Sequence, residues 1–470
     1  NSFMAAKNDS DLNFLLSQAQ TARLDCQLEK ASTLLEKAFQ INSESTPVLM
    51  EKGLLYQQCN QWTAARQCFQ SVLSAEPENP QVLNALGHTW QAESNFSEAL
   101  KFWEKAITIQ PDYADAWQNI GLAHEHMNNL SEAISAHQKV VKLKPTDARA
   151  HRLLGMSQLD FGLLTAAGKC FDRALELDPE NPENRWQRFF IKALNGNFPS
   201  AWADYECRFE LPGRTTPDHE FRQPKWQGET SPDKTLLLHA EQGYGDTIQM
   251  VRYTKKVSKH VGKIILWIPP ALAGLMEPIQ QIDEVITRKP NEDTFDIQLP
   301  LMSLPGVFND SMETIPRQVS YLGNSQKDNK SSYHKIGICW AGSGNQPLDR
   351  RSIPVEAFHY LFSRTDLELH SLQIGHTPPH PLHDRSGEMT DFKATSEIIQ
   401  NLDLVISIDT SIAHLAGAMG KPVWILLNFA PDWRWGVEKE HSDWYPSAKL
   451  FRQNYGKPWS AVINQLCREL

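Results

Sequence analysis

The sequence predicts an all-helical repeat superhelix followed by two α/β lobes built on parallel sheets. Three observations lead there. Small residues recur every 34 positions between Gly53 and Pro179. A segment rich in Pro, Gly and Trp, FRQPKWQGETSPDK, interrupts the helical pattern after Pro212 and Gly213. Beyond it, short apolar runs alternate with helical stretches, as chains of βαβ units do. The 470 residues suffice for about three domains of ~150 residues each. With 41% hydrophobic and 22% charged residues the chain is a folded protein, neither disordered nor collagen-like.

The repeat is read from its columns. Gly53, Gly87, Gly121 and Gly155 are followed twelve positions later by Ala65, Ala99, Ala133 and Ala167. Pro77, Pro111, Pro145 and Pro179 close the same units. Between them stand Phe69, Trp103, His137 and Phe171, then Val72, Ala106, Val140 and Ala174. Small residues belong where two antiparallel helices touch, because bulk there would separate the backbones. Proline ends the second helix, since it cannot continue one. The pattern resembles the tetratricopeptide repeat. Four full repeats span 46–181, and degraded repeats extend the register to Ala19, Ala31, Leu35 and Ala38 on one side. On the other they reach Phe189, Ala201 and Tyr205, so the array is expected over 12–215. Terminal units of such arrays are usually atypical. The concave face of the superhelix either holds a protein segment or braces the rest of the chain.

A net charge of −10 argues against a general nucleic-acid binder or a protein held on anionic membranes. Seven scattered cysteines without a CxxC pair read as reduced thiols rather than a disulfide frame or zinc site. No apolar run approaches the ~20 residues of a membrane span, and the first residues lack a signal-peptide profile. A cytoplasmic protein, without membrane insertion, is the expectation.

After a linker over 216–233, strands are expected at 235–239, 263–268, 284–287, 335–340, 368–373, 403–409 and 422–427. Helices are expected at 246–258, 355–363, 395–401 and 412–419. The polar stretch 322–332 reads as a hinge, dividing an N-terminal lobe over 234–327 from a C-terminal lobe over 333–470. In such sheets ligands bind at the carboxyl ends of the strands.

Three segments carry candidate chemistry. In LLLHAEQGYGDTIQMVRY, Gly243 and Gly245 would let the backbone approach a ligand. Asp246 is either a reactive carboxylate or a helix N-cap. In KIGICWAGSGNQPLDRRSIPVEAF, a loop with Ser343 and Asn345 leads to Arg350 and Arg351. Two guanidinium groups suit a phosphate, or else form structural ion pairs. In DLVISIDTSIAHLAGAMG, Asp409, Thr410 and Ser411 open a helix containing His414. A helix start with free N–H groups binds diphosphate; capping by the Thr-Ser pair is the competing role. In PDWRWG, Trp433 and Trp435 either stack on a base or sugar, with Arg434 turned to a phosphate, or pack the lobes.

Taken in this order, the segments over 234–470 resemble a GT-B glycosyltransferase of the ADP-heptosyltransferase-like superfamily, with two Rossmann-like lobes. The resemblance implies that Asp246, in the Gly245-Asp246 pair, is the catalytic base. It implies that Arg351, before Ser352-Ile353-Pro354, contacts the donor phosphate, and that Asp409, Thr410, Ser411 and His414 form the donor site. Fused to the repeats, the domain resembles bacterial soluble protein glycosyltransferases, including flagellin-modifying ones. The implied partners are a nucleotide-sugar and a protein acceptor on the concave face of the array. No DxD sequence occurs in this half, so neither a metal nor another cofactor is expected. The runner-up is a catalytically idle scaffold, and a third reading places the acceptor on a glycan or lipid.

Overall fold

The computed structural model describes residues 2–213, 219–241, 243–318, 320–323, 333–342, 349–430 and 432–470. The repeat sequence folds into twelve helices: α1 (Ser2–Leu24), α2 (Leu28–Ile41), α3 (Thr46–Gln58), α4 (Trp62–Ala75), α5 (Pro80–Ala92) and α6 (Phe96–Ile109), then α7 (Ala114–His126), α8 (Leu130–Leu143), α9 (Ala148–Asp160), α10 (Leu164–Leu177), α11 (Pro182–Leu194) and α12 (Phe198–Tyr205). The small-residue columns lie where helices meet. Ala65, Ala99, Ala133 and Ala167 are each 0% exposed. A Cβ placed on Gly53, Gly87 or Gly121 would come within 2.4, 2.3 or 2.4 Å of Phe69, Trp103 or His137. The glycine and the ring are therefore one contact, repeated.

A further column emerges from the backbone. Cys26, Asn60, Ser94, Asn128, Gly162 and Gly196 all have positive φ, between 58° and 89°. Each ends the turn between the two helices of a pair, where the chain must pass through the left-handed region. Six such turns make six helix pairs.

By compactness the chain divides into Asn1–Gln158 and Leu159–Leu470. The second unit contains the end of α9, helices α10 to α12 and an α/β region with two parallel sheets. The first sheet has strand order β3-β2-β1-β4, from β1 (Ser231–His239), β2 (Val261–Trp267), β3 (Glu284–Ile286) and β4 (Ile297–Pro300). The second has order β10-β9-β8-β5-β6-β7, from β5 (Lys335–Cys339), β6 (Glu368–Ser371), β7 (His383–Asp384), β8 (Leu404–Ile408), β9 (Val423–Leu427) and β10 (Ala448–Arg452). Around the first lie α13 (Tyr244–Met250), α14 (Thr254–Val257), α15 (Pro270–Met276) and α16 (Leu304–Val307). Around the second lie α17 (His359–Phe362), α18 (Phe392–Gln400), α19 (Ser411–Ala418) and α20 (Trp459–Cys467). Among the described residues no helix is long and apolar enough to cross a membrane.

The expected linker is partly built into the first sheet. Trp226 is 0% exposed, its backbone N–H donates to the Gln298 carbonyl, its indole N–H to the Glu229 carbonyl, and the Gln298 backbone N–H to the Pro224 carbonyl. A large indole that finds a pocket beside β4 does not remain a tether. The hinge expected over 322–332 lies outside the described residues except for Leu322 and Gly323.

Arg252, which follows α13, is 2% exposed and anchors the core. It donates to the carbonyls of Trp444 (2.6 Å) and Pro316 (3.2 Å) and to the Tyr321 hydroxyl (3.0 Å). Its guanidinium also lies over the Trp444 and Tyr445 rings. One buried cation thus joins an element of the first sheet to the segment before β10.

Candidate functional site

Strands β5, β8 and β9 end side by side, and parallel register brings their following loops together. Asp349, Arg350, Arg351, Asp409, Asp432 and Arg452 line a cleft of about 210 Å³ there, floored by residues 426–428 and Ala430. Ser343 and Asn345, expected in the same loop, lie outside the described residues.

Each arginine of the expected set has a carboxylate partner. Arg350 pairs with Asp160 at the end of α9 and lies 5.7 Å from the Phe429 ring centre. Arg351 donates from Nε to Asp349 (3.1 Å) and from Nη1 to the Asp409 carbonyl (3.2 Å). Gly342 packs against this pair, and a Cβ there would sit 2.6 Å from Asp349 Oδ2. Burial works to raise the Asp349 carboxyl, but Ser352 and Arg351 outweigh it and hold its pKa below the usual carboxylate value.

Asp409 follows β8. Burial alone would raise its pKa, yet the neighbouring His414 and the charge of Arg434 hold it below the usual carboxylate value. His414 Nε2 lies 3.6 Å from Asp409 Oδ1, while Nδ1 is 2.7 Å from the Tyr445 hydroxyl. Asp432 behaves oppositely. Burial and the nearby Asp409 charge push its carboxyl upward against the pull of Arg434.

Thr410 is the N-cap residue of α19 but makes no side-chain capping bond. Its hydroxyl lies 3.2 Å from Ser407 Oγ and 3.8 Å from Cys339 Sγ instead. The backbone N–H groups from Ser411 onward thus receive nothing from the Thr410 side chain.

Asp246 comes from the other sheet. Gly243, with φ +70°, is the N-cap of α13 and Asp246 stands in its first turn, so the carboxylate does not occupy the capping position. It accepts a hydrogen bond from Arg434 Nη2 at 2.6 Å, and Arg434 Nε donates to Gln249 at 3.0 Å. Burial works against the Arg434 cation; Asp246, Asp432 and Asp409 more than restore it, leaving the pKa raised. Asp246, Asp409 and Asp432 therefore share one guanidinium, although 186 residues separate the first from the last.

Gly245 stands close against α19, where a Cβ would meet His414 Cδ2 at 2.7 Å. The expected stacking role of the tryptophans is corrected. Trp433 is no stacking platform. It is 3% exposed and its ring lies 5.5 to 6.4 Å from those of Phe189, Phe198, Trp202, Tyr205 and Trp444. An indole among five aromatic neighbours has no free face. Trp435, 2% exposed, packs on His414 and Tyr445 in the same manner.

The sequence reading missed Asp349, Asp432, Arg452 and Glu241. Asp349 and Asp432 adjoin residues it singled out, so proximity in the motif was the available signal. Glu241 had none. It follows β1 and forms a two-pronged ion pair with Arg208, 2.6 and 2.8 Å long, with both side chains 5% exposed. Arg208 lies in the 3₁₀ turn Glu206–Phe209 after α12. The pair holds the start of the loop that carries Asp246.

Family models of the tetratricopeptide repeat match residues 50–114, 91–157 and 148–181. Residues 50–181 thus carry tetratricopeptide repeats, and an α/β region with parallel sheets follows the array. The chain is similar to Protein FlbA of Caulobacter vibrioides, with 22% identity over 337 residues, 62% of this chain and 56% of the relative. The chain accordingly spans just over half of that relative's length. Among solved structures it is similar to PilF of Pseudomonas aeruginosa, with 16% identity, TM-score 0.40, 44% of this chain and 95% of that one. It is also similar to YrrB, a TPR protein with an unusual peptide-binding site, with 21% identity, TM-score 0.32, 39% of this chain and 96% of that one.

Proposed function

We propose that the α/β region is an inverting GT-B glycosyltransferase that moves a sugar from a nucleotide-sugar to a Ser or Thr hydroxyl of a protein held by the repeats, flagellin among the candidates. The observation that carries this reading is the sharing of Arg434. Asp246, expected to be the base, meets Asp409 and Asp432 of the expected donor cleft through a single guanidinium. Carboxylates suit sugar and ribose hydroxyls, and guanidinium groups with free helix N–H groups suit a diphosphate.

In this reading Asp246 takes the proton as the acceptor oxygen attacks the anomeric carbon. The bond from that carbon to the diphosphate oxygen breaks, and the nucleoside diphosphate leaves with its charge met by arginines and the start of α19. No metal takes part, and the protein works in the cytoplasm.

The test begins with a thermal-shift screen of millimolar nucleotides and nucleotide-sugars, since binding to the folded state alone raises its stability. With the donor known, Asp246→Asn should lower turnover by about 10²–10⁴-fold with little change in donor affinity. Turnover within about threefold of the wild type would end the catalytic assignment.

A further inference from the structure

Four arginines stand at or beside the cleft, and three of them are already neutralised. Arg350 is paired with Asp160, Arg351 with Asp349 and Arg434 with Asp246. Arg452 differs. It ends β10, beside Leu427 of β9, and lines the cleft. Its Nη2 donates to the Trp435 carbonyl at 2.6 Å and to the Lys439 carbonyl at 3.3 Å; Nε donates to the latter, also at 3.3 Å. Those carbonyls orient the group without cancelling its charge. Among the described residues it forms no ion pair with a carboxylate.

A half-buried cation without a counter-charge is costly, because burial removes hydration and the two carbonyls replace only part of it. Burial alone lowers the Arg452 pKa, to about 10, with no neighbouring acid raising it. The group remains charged at neutral pH.

We propose that Arg452 is the principal phosphate ligand of the cleft, taking a phosphoryl group of a nucleoside diphosphate, while Arg350 and Arg351 shape the loop through their own carboxylates. This rests on the donor-cleft reading and sharpens it. The resemblance to heptosyltransferases assigns the phosphate contact to Arg351 instead. A phosphate entering the cleft would have to break the Arg351–Asp349 pair to use that guanidinium, whereas Arg452 gains its missing counter-charge at no such cost. Charge-assisted bonds of this kind favour the ionised partner strongly.

The experiment is isothermal titration of the full chain with inorganic pyrophosphate, then with the nucleoside diphosphate found in the screen. Arg452→Gln keeps a donor for the carbonyls and should weaken both by about tenfold or more, and Arg452→Lys by less. Arg351→Gln should change pyrophosphate affinity by less than about threefold on the same reasoning. An Arg452→Gln variant that binds within about twofold of the wild type, or an equal loss in both variants, overturns the proposal. If Arg452→Gln does not fold, phenylglyoxal labelling of the wild type replaces it. Pyrophosphate should protect Arg452, read by peptide mass spectrometry, and absence of protection overturns the proposal. Nucleotide binding untouched by Arg452→Gln refutes this inference alone. Arg452-dependent pyrophosphate binding without any nucleotide binding upholds the anion site and refutes the donor reading.

Discussion

Gly245→Ala probes the contact on which the candidate site's geometry depends. The new Cβ would stand 2.7 Å from His414 Cδ2, which is 0.7 Å inside the 3.4 Å onset of ordinary contact. His414 has little room to yield, being 4% exposed, bonded to Tyr445 at 2.7 Å and packed on Trp435. Overpacking of this kind costs about 1–3 kcal/mol. The cost falls locally, so hydrogen exchange is the fitting assay. Amides in α13 and α19 should exchange about 5–150-fold faster than in the wild type, with α3 to α6 unchanged. Displacing the imidazole also weakens its hold on Asp409, so nucleotide affinity should fall with it. His414→Ala removes the obstructing ring. In that background Gly245→Ala should cost about 1–2 kcal/mol less than alone. Exchange in α13 and α19 within about twofold of the wild type, or strict additivity of the two changes, would refute the packing argument.

Three further outcomes are expected. His239 is 3% exposed and burial lowers its pKa to about 4, although Gln298 at 3.0 Å opposes the shift. Between pH 6.5 and 4 the unfolded chain therefore takes a proton that the folded one refuses, and stability falls as pH drops, by up to about 3 kcal/mol at pH 4. His239→Gln should flatten the melting-temperature profile over that window, and identical profiles would count against the assignment. A chain beginning at Leu159 should remain monodisperse in size-exclusion chromatography and bind nucleotide. One beginning at Lys234 strips four aromatic neighbours from Trp433 and should aggregate; equal behaviour of the two would show that this cover is dispensable. Sugar transfer should persist in excess EDTA, because the arginines and the start of α19 supply the positive charge; loss restored by magnesium or manganese would reverse that expectation.

The repeat was legible because its columns obey one local rule. Gly53 with Phe69 and Gly87 with Trp103 are the same contact at a fixed offset, so period alone exposes it. The parallel sheets were legible where strands are purely apolar, as in β8 and β9. Three strands were missed: β4, which reads IQLP, the two-residue β7, and β10, which reads AKLFR. In the candidate site the motif positions were visible but not their partners. Nothing near Asp246 announces Arg434, and nothing near Glu241 announces Arg208. Such pairs are set by how distant elements stack, which leaves no periodic trace. Trp433 was ambiguous for the same reason. An indole reads alike in a binding cleft and in an aromatic core until its neighbours are known.

At the sixth helix pair the glycine position holds Phe189, which is 0% exposed and meets Trp186, Trp202, Tyr205 and Trp433. The array therefore ends in a plug rather than a seam. A duplicated repeat inserted after α12 would need to find a smooth helix surface, and it would find a wall of rings committed to the α/β region. Growth or loss of whole repeats is thus open only upstream, among the pairs whose glycine-to-ring contacts are interchangeable. The length of the array can vary from one end while the machinery at the other end stays undisturbed.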